Sequence, residues 1–268
     1  MYQPHFDRFM FDGKRSLYDM GIHARLVKRP LFSDPKTIYQ DIPGKDGELN
    51  LSAVNPIGRK NFKPLFVEFE CHFATRHDTV DFEEKLNELS SWLMKEEDCE
   101  LYIGANDNYC YLGHVISPLN LEMITDFSAT FPLIFKCQPF KYHFSTYQYG
   151  FFSYTKVQDD GLIHYKGDIK NDGYFTNMTY TITGSAPEGL SIISDKYPDS
   201  PLIINQPFEN GTLFVDMENM IVTLNGVSCL HACQCNRFHQ LHPGYNNMTV
   251  KGKDLAAEVI ITYRERYV

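Results

Sequence analysis

Apolar and polar positions alternate cleanly at Leu65, Val67, Phe69, Cys71 and Phe73 against Phe66, Glu68, Glu70, His72 and Ala74. That period of two predicts a strand with one buried face. A period near 3.6 follows. Phe82, Leu86, Leu89 and Leu93 share one helical face, widened by Trp92, while Glu83, Glu84, Lys85 and Glu88 fill the other. Asp78, with Asp81 three residues on, is the predicted N-cap. Next, Leu101-Tyr102-Ile103 and Tyr109-Cys110-Tyr111-Leu112 flank Gly104-Ala105-Asn106-Asp107-Asn108, a hairpin with a turn tolerant of positive φ. Phe127 to Cys137 reads as a further strand, ended by Gln138-Pro139. The first half is thus α+β, antiparallel strands with one helix.

No helical period recurs in the second half. Met178, Tyr180 and Ile182 alternate with threonines until Gly184-Ser185-Ala186-Pro187 breaks the run. Leu213-Phe214-Val215, Ile221-Val222-Thr223-Leu224 and Val259 to Tyr263 are further short strands, separated by Glu218-Asn219 and Asn225-Gly226. Pro243-Gly244 reads as a turn opening a hairpin of Met248 to Lys251. Many short strands between Gly, Pro and Asn turns predict a β-sandwich or jelly roll. The pattern changes within the aromatic-polar stretch Lys141–Gly150, so the expected domains are 1–142 and 143–268.

With 268 residues and 43% hydrophobic content, the chain can bury two cores. Lys and Arg number 25 against 34 for Asp and Glu, giving −9 overall, with both halves acidic. That balance opposes a nucleic-acid-binding module. No apolar run reaches the ~20 residues of a membrane helix, and Met1 to Asp7 lacks the apolar stretch of a secretory signal. The seven cysteines are therefore expected as reduced thiols packed like small apolar residues.

The segment Cys229, His231, Cys233, Cys235, His239 and His242 carries soft metal-ligand chemistry, with His231, Cys233, Cys235 and His239 the candidate ligands. Structural zinc, however, takes two separated knuckles. Here Cys229, His231, Cys233 and Cys235 share one parity, so a strand would spread them ~6–7 Å apart along one face. Packing is the favoured reading, and no metal or cofactor is expected. There is no nucleophile elbow, P-loop or H-E-x-x-H, and the adjacent pairs Asp159-Asp160 and Glu96-Glu97 are not spaced as paired catalytic carboxylates. An enzyme ranks last. The 17 Tyr and 20 Phe leave sugar stacking open, although the single Trp already sits on the helix.

The order Ile42-Pro43-Gly44-Lys45-Asp46-Gly47, the helix ending at Trp92-Leu93, the Asn106–Tyr111 hairpin and Phe135-Lys136-Cys137-Gln138-Pro139 resembles the N-terminal domain of siphophage distal tail proteins. Asn171-Asp172-Gly173 leading into Tyr180-Thr181-Ile182-Thr183-Gly184-Ser185, then Asp216, Asn225-Gly226 and Leu241-His242-Pro243-Gly244-Tyr245-Asn246, is similar to that family's C-terminal domain. The Cys/His-rich stretch 229–242 departs from it. The resemblance implies a tail-tube-like, ring-forming first domain and a galectin-like or carbohydrate-binding-module-like second one. It implies a structural protein with no catalytic residue, forming a hexameric hub at the distal end of a long non-contractile tail. The implied partners are further copies of itself, the tail tube protein, a tail-tip protein and a receptor-binding protein. Genome would pass through the lumen unbound, with assembly in the host cytoplasm and residence at the virion tail tip. Pro43, Gly44, Asp46, Gly47, Asn106, Asp107 and Asn108 are the expected ring contacts, because turns and sheet edges offer the material for strand addition. The alternative is an adhesion module for host cell-wall saccharide.

Overall fold

The computed structural model describes residues 8–54, 59–75, 79–104, 108–117, 120–150, 153–156 and 162–268. Asp78, Asn106, Asp107 and the pair Asp159-Asp160 lie outside them. The chain divides into two compact units, Met1–Phe144 with Val268, and Ser145–Tyr267. The architecture is mainly antiparallel β with one α-helix among the described residues.

In the first unit the strands are β1 (Phe9–Phe11), β2 (Lys14–Arg15), β3 (His23–Lys28), β4 (Tyr39–Asp41), β5 (Glu48–Asn50), β6 (Leu65–Ala74), β7 (Cys99–Ile103), β8 (Tyr109–Val115), β9 (Glu122–Thr125) and β10 (Ser128–His143). Seven of them run in the order β2-β1-β7-β8-β10-β6-β3, and β9 pairs with β10. The alternation along β6 is realised residue by residue: Leu65, Val67, Phe69, Cys71 and Phe73 are buried. Helix α1 (Thr79–Leu93) lays Phe82, Leu89, Trp92 and Leu93 into the same core, with Leu86 half-buried beside them. Trp92 stacks on Phe9 with ring centroids 5.7 Å apart and donates its indole N–H to the Phe11 carbonyl at 2.9 Å. The one tryptophan is thus a core residue.

Strand β10 corrects the expected stop at Gln138-Pro139. It continues to His143 through a register shift between Cys137 and Lys141. A bulge leaves ladder positions unpaired, so a residue without an N–H is tolerated there. The Pro139 carbonyl instead accepts a hydrogen bond from the buried Ser33 hydroxyl.

The second unit is a sandwich of two six-stranded sheets. The strands are β11 (Tyr147–Gly150), β12 (Ser153–Lys156), β13 (Leu162–Asn171), β14 (Met178–Ala186), β15 (Leu190–Ser194), β16 (Leu202–Ile204), β17 (Phe208–Asp216), β18 (Ile221–Leu224), β19 (Val227–Ser228), β20 (Cys233–Gln234), β21 (Gly244–Lys253) and β22 (Ala256–Tyr263). One sheet runs β11-β22-β14-β17-β18-β19 and the other β12-β13-β21-β15-β16-β20. Tyr180, Ile182, Leu213, Val215, Val259 and Ile261 from the first meet Ile169, Ile192, Leu202, Ile204, Met248 and Val250 from the second. This is the interleaving expected of facing sheets. Asn225-Gly226 closes the β18–β19 hairpin with φ of 50° and 80° and Leu224 opposite Val227, the two-residue turn that this dipeptide favours.

Two sequence expectations are corrected here. Gly184 does not end its strand. β14 runs on to Ala186, because Gly184 at φ 147° lets the backbone pass close to the Ala256 carbonyl before the register shifts. Pro243-Gly244 opens no separate hairpin either. Gly244 begins a strand of 10 residues that pairs along its whole length with β13.

Candidate assembly surface

Between Lys28 and Leu65 the chain leaves the main sheet and forms its own two-stranded hairpin, with Tyr39 opposite Asn50 and Asp41 opposite Glu48. Its tip is Ile42 to Gly47. Gly44 and Gly47 hold φ of 78° and 79°, and the Lys45 amide donates to the Ile42 carbonyl at 3.1 Å. Only glycine takes such angles without cost, so Pro43-Gly44 and Asp46-Gly47 fold together into one compact tip. Below the strands, the Leu51 amide donates to the Ile38 carbonyl at 2.8 Å and the Ile38 amide to the buried Ser52 hydroxyl at 2.9 Å. Lower still, the Lys36 amide reaches the Asn61 carbonyl and the Lys63 amide the Asp34 carbonyl, at 2.7 and 2.8 Å. The base is fixed where Ser33 holds Pro139 and where Phe62 meets Phe140 edge-on at 5.8 Å. The β10 bulge therefore serves as the footing of the hairpin.

Residues 41–50 are all exposed. Ile38, Tyr39 and Leu49 show 57%, 53% and 42% of their surface, and Val54 just beyond shows 74%. An isolated two-stranded hairpin is marginally stable in water, and this one leaves Tyr39, Ile42 and Leu49 exposed. Burial against another molecule would supply what it lacks, at roughly 25 cal/mol per Å² of apolar surface.

The other expected contact loop sits elsewhere. Asn108 is exposed at the β7–β8 turn of the main sheet, where its carbonyl accepts the Phe144 amide at 2.9 Å. Pro43, Gly44, Asp46 and Gly47 lie together on the separate hairpin. The structure thus groups the first set of residues and keeps Asn108 on a different element. Sequence reading missed the exposed pair Leu31 and Phe32, 90% and 57% accessible, at the foot of the hairpin. Their only signal was an apolar pair after Pro30, outside any period.

The Cys/His segment is no single-faced strand. Leu230–Ala232 forms a 3₁₀ turn with Cys229 at its N-cap, and only Cys233–Gln234 is extended. His231 is exposed on that turn. Cys233 and Cys235 pack half-buried against the sandwich core. Burial and the neighbouring thiols Cys229 and Cys235 push the Cys233 thiol up to about 11. His239 is fully buried, its Nε2 bonded to the Ser200 carbonyl at 2.6 Å and its ring stacked on Tyr197 at 5.2 Å. His242 instead meets the Tyr197 hydroxyl at 2.9 Å. The four candidate ligands are consequently spread between turn, strand and core. Among the described residues no three His, Cys, Asp or Glu side chains converge on one metal position.

No helix among the described residues is long and apolar enough to cross a membrane. No curated protein matches the sequence. Residues 173–267 match the family described as siphovirus-type tail component, C-terminal domain. Among solved structures, the chain is similar to the Dit protein (gp 19.1) of phage SPP1, described as a paradigm of the hub adsorption apparatus in phages infecting Gram-positive bacteria. The TM-score is 0.69 at 16% identity, over 97% of this chain and 99% of that one. Weaker likenesses are to the activated baseplate of phage P2 with Ca and with Sr, at TM-scores of 0.49 and 0.47, each with 9% identity and covering 93% of this chain and 99% of that one.

Proposed function

We propose that this chain, whose second unit matches a siphovirus-type tail component and whose fold is that of a distal tail protein, is a structural hub. In this reading six copies close a ring at the distal end of a long non-contractile tail, between tail tube and tail-tip protein. The second unit is then a platform for a receptor-binding protein. The ring assembles in the host cytoplasm, genome passes through its lumen, and the protein performs no catalysis. The tail-component match over residues 173–267 carries the proposal. The exposed hairpin supports self-assembly: a ring of identical copies needs a head-to-tail interface that closes, and an arm that leaves its own sheet supplies one.

Native mass spectrometry and negative-stain imaging of the purified full chain are the test. Closed rings of six are expected. A monomer that persists at every concentration, or turnover of a substrate, overturns the reading. Within it, Pro43, Gly44, Asp46, Gly47, Asn106, Asp107 and Asn108 make ring contacts. Asp46→Lys and Asp107→Lys should each shift size-exclusion profiles toward single chains, and unchanged profiles would remove those residues from the interface.

A further inference from the structure

His23 and His72 share one rung of the first unit's sheet. β3 and β6 run antiparallel with His23 directly opposite His72, then Ala24 opposite Cys71 and Arg25 opposite Glu70. The ladder keeps this register to Leu26 and shifts only beyond it. Ala24 and Cys71 are turned into the core, which fixes the two imidazoles on the outer face, His23 exposed and His72 half-buried. Their ring centroids lie 6.4 Å apart at an interplanar angle of 45°. β3 ends the strand order, so His23 has a neighbouring strand on one side only among the described residues.

A cross-strand pair of rings is ordinarily a packing contact. Two features go beyond that. Among the described residues no hydrogen bond or ion pair engages either ring, whereas His114, His239 and His242 are tied to Asp98, the Ser200 carbonyl and the Tyr197 hydroxyl. The second feature is reach. Directly opposed side chains have Cβ atoms about 4.5–5.5 Å apart, and two imidazole nitrogens on one ion, each ~2.0–2.1 Å from it, lie within about 4 Å of each other. The charges flanking the pair on these two strands cancel, Arg25 meeting Glu70 at 2.5 Å and Lys28 meeting Glu68 at 3.0 Å. Glu122 is on the same rung, opposite Thr130, but two strand spacings from His72, roughly 10 Å. No third His, Cys, Asp or Glu among the described residues converges on the pair.

We propose that His23 and His72 chelate one divalent transition-metal ion of the zinc class, each through a neutral ring nitrogen, with water in the remaining positions. Rotation of the exposed His23 side chain closes the pair on the ion with both strands in place. Imidazole suits such ions, whereas calcium and magnesium require a set of oxygen ligands that this rung lacks. The ion clamps the edge strand β3 to β6. The clamp acts within one chain and needs no ring assembly.

The test is calorimetric titration of the full chain, stripped of metal by a chelator, with zinc chloride and with cupric chloride, and thermal melting as a second readout. One ion per chain is expected at this site, held more tightly as copper than as zinc. His23→Ala and His72→Ala should each weaken it by at least the ~10-fold that losing an outer-shell partner alone costs, while His231→Ala on the exposed turn of the second unit leaves it unchanged. Paramagnetic resonance should show two nitrogen ligands on copper in the native chain and one in either variant. Zinc should raise the melting temperature of the native chain and not of the variants. Binding should fade as pH drops, since a protonated imidazole cannot ligate. Unaltered melting of His23→Ala without metal separates a lost ligand from a lost fold. No saturable binding, affinity indifferent to both histidine changes, or calcium bound as tightly as zinc would each overturn the inference. Rings that take up no zinc sink this proposal alone, and a zinc-binding chain that never closes a ring sinks only the hub reading.

Discussion

Tyr180 stands at the centre of the sandwich core, fully buried, and its hydroxyl has no hydrogen-bond partner among the described residues. Desolvation drives its acidity far below normal. An unsatisfied buried hydroxyl costs on the order of 1–3 kcal/mol, so Tyr180→Phe should leave the second unit equally stable or more stable by ~1 kcal/mol, read from its denaturation midpoint. His239 presents the same problem in a titratable form. Its Nε2 is engaged with the Ser200 carbonyl and its Nδ1 has no partner among the described residues, with Arg237, Tyr197 and Ser200 around the ring. Burial, reinforced by Arg237 and opposed by the Ser200 bond, holds its pKa below the ordinary 6.5. The unfolded chain therefore binds the proton more readily, and stability falls as pH drops through 6.5 toward the lower folded value. Thermal unfolding between pH 7 and 5 should show a steeper loss for the native chain than for His239→Gln. Cys71 and Cys137, pushed up to about 12 mainly by burial, should stay unmodified by iodoacetamide at pH 8 in the folded chain, as mass spectrometry would show.

Among elements, β14 shows how a local signal is misread. Gly184-Ser185-Ala186-Pro187 looks like a stop, yet the glycine is there because a Cβ at position 184 would strike the Ala256 carbonyl on β22. Gly184→Ala should lower the stability of the second unit by about 1–3 kcal/mol through overpacking, more with the unfavourable φ, measured by chemical denaturation. Long-range approach of two backbones has no sequence signature other than the glycine itself. The same holds for Pro139, a terminator by its own chemistry that sits in a bulge where Ser33 from another segment bonds its carbonyl and Phe62 meets the adjacent Phe140. By contrast β6, α1 and the Asn225-Gly226 turn were legible, since each is dictated by the spacing or conformational freedom of its own residues. The β4–β5 hairpin was half legible. Its turn could be read, but its separation from the main sheet could not. Ile42→Ser with Leu49→Ser should leave circular dichroism and melting nearly unchanged while weakening self-association in sedimentation.

At the scale of the whole chain, each unit keeps its own core. One is built around Phe9, Phe69, Trp92 and Phe135, the other around Tyr180, Ile192, Leu213 and Val250. Residues 145–267 expressed alone should therefore fold and unfold cooperatively, and a fragment without a sharp thermal transition would contradict this. The sequence by itself determined the α+β character of the first unit, the all-β character of the second, the helix face and the tightest turns. These follow from periodicity and from residues that few backbone angles admit. Only the tertiary structure decided that the Cys/His stretch disperses between a turn and the core, and that His23 and His72 stand side by side although far apart in the chain. Pairing of distant strands is fixed by the fit of two whole sheets and by their registers. A register places residues together that no local pattern relates.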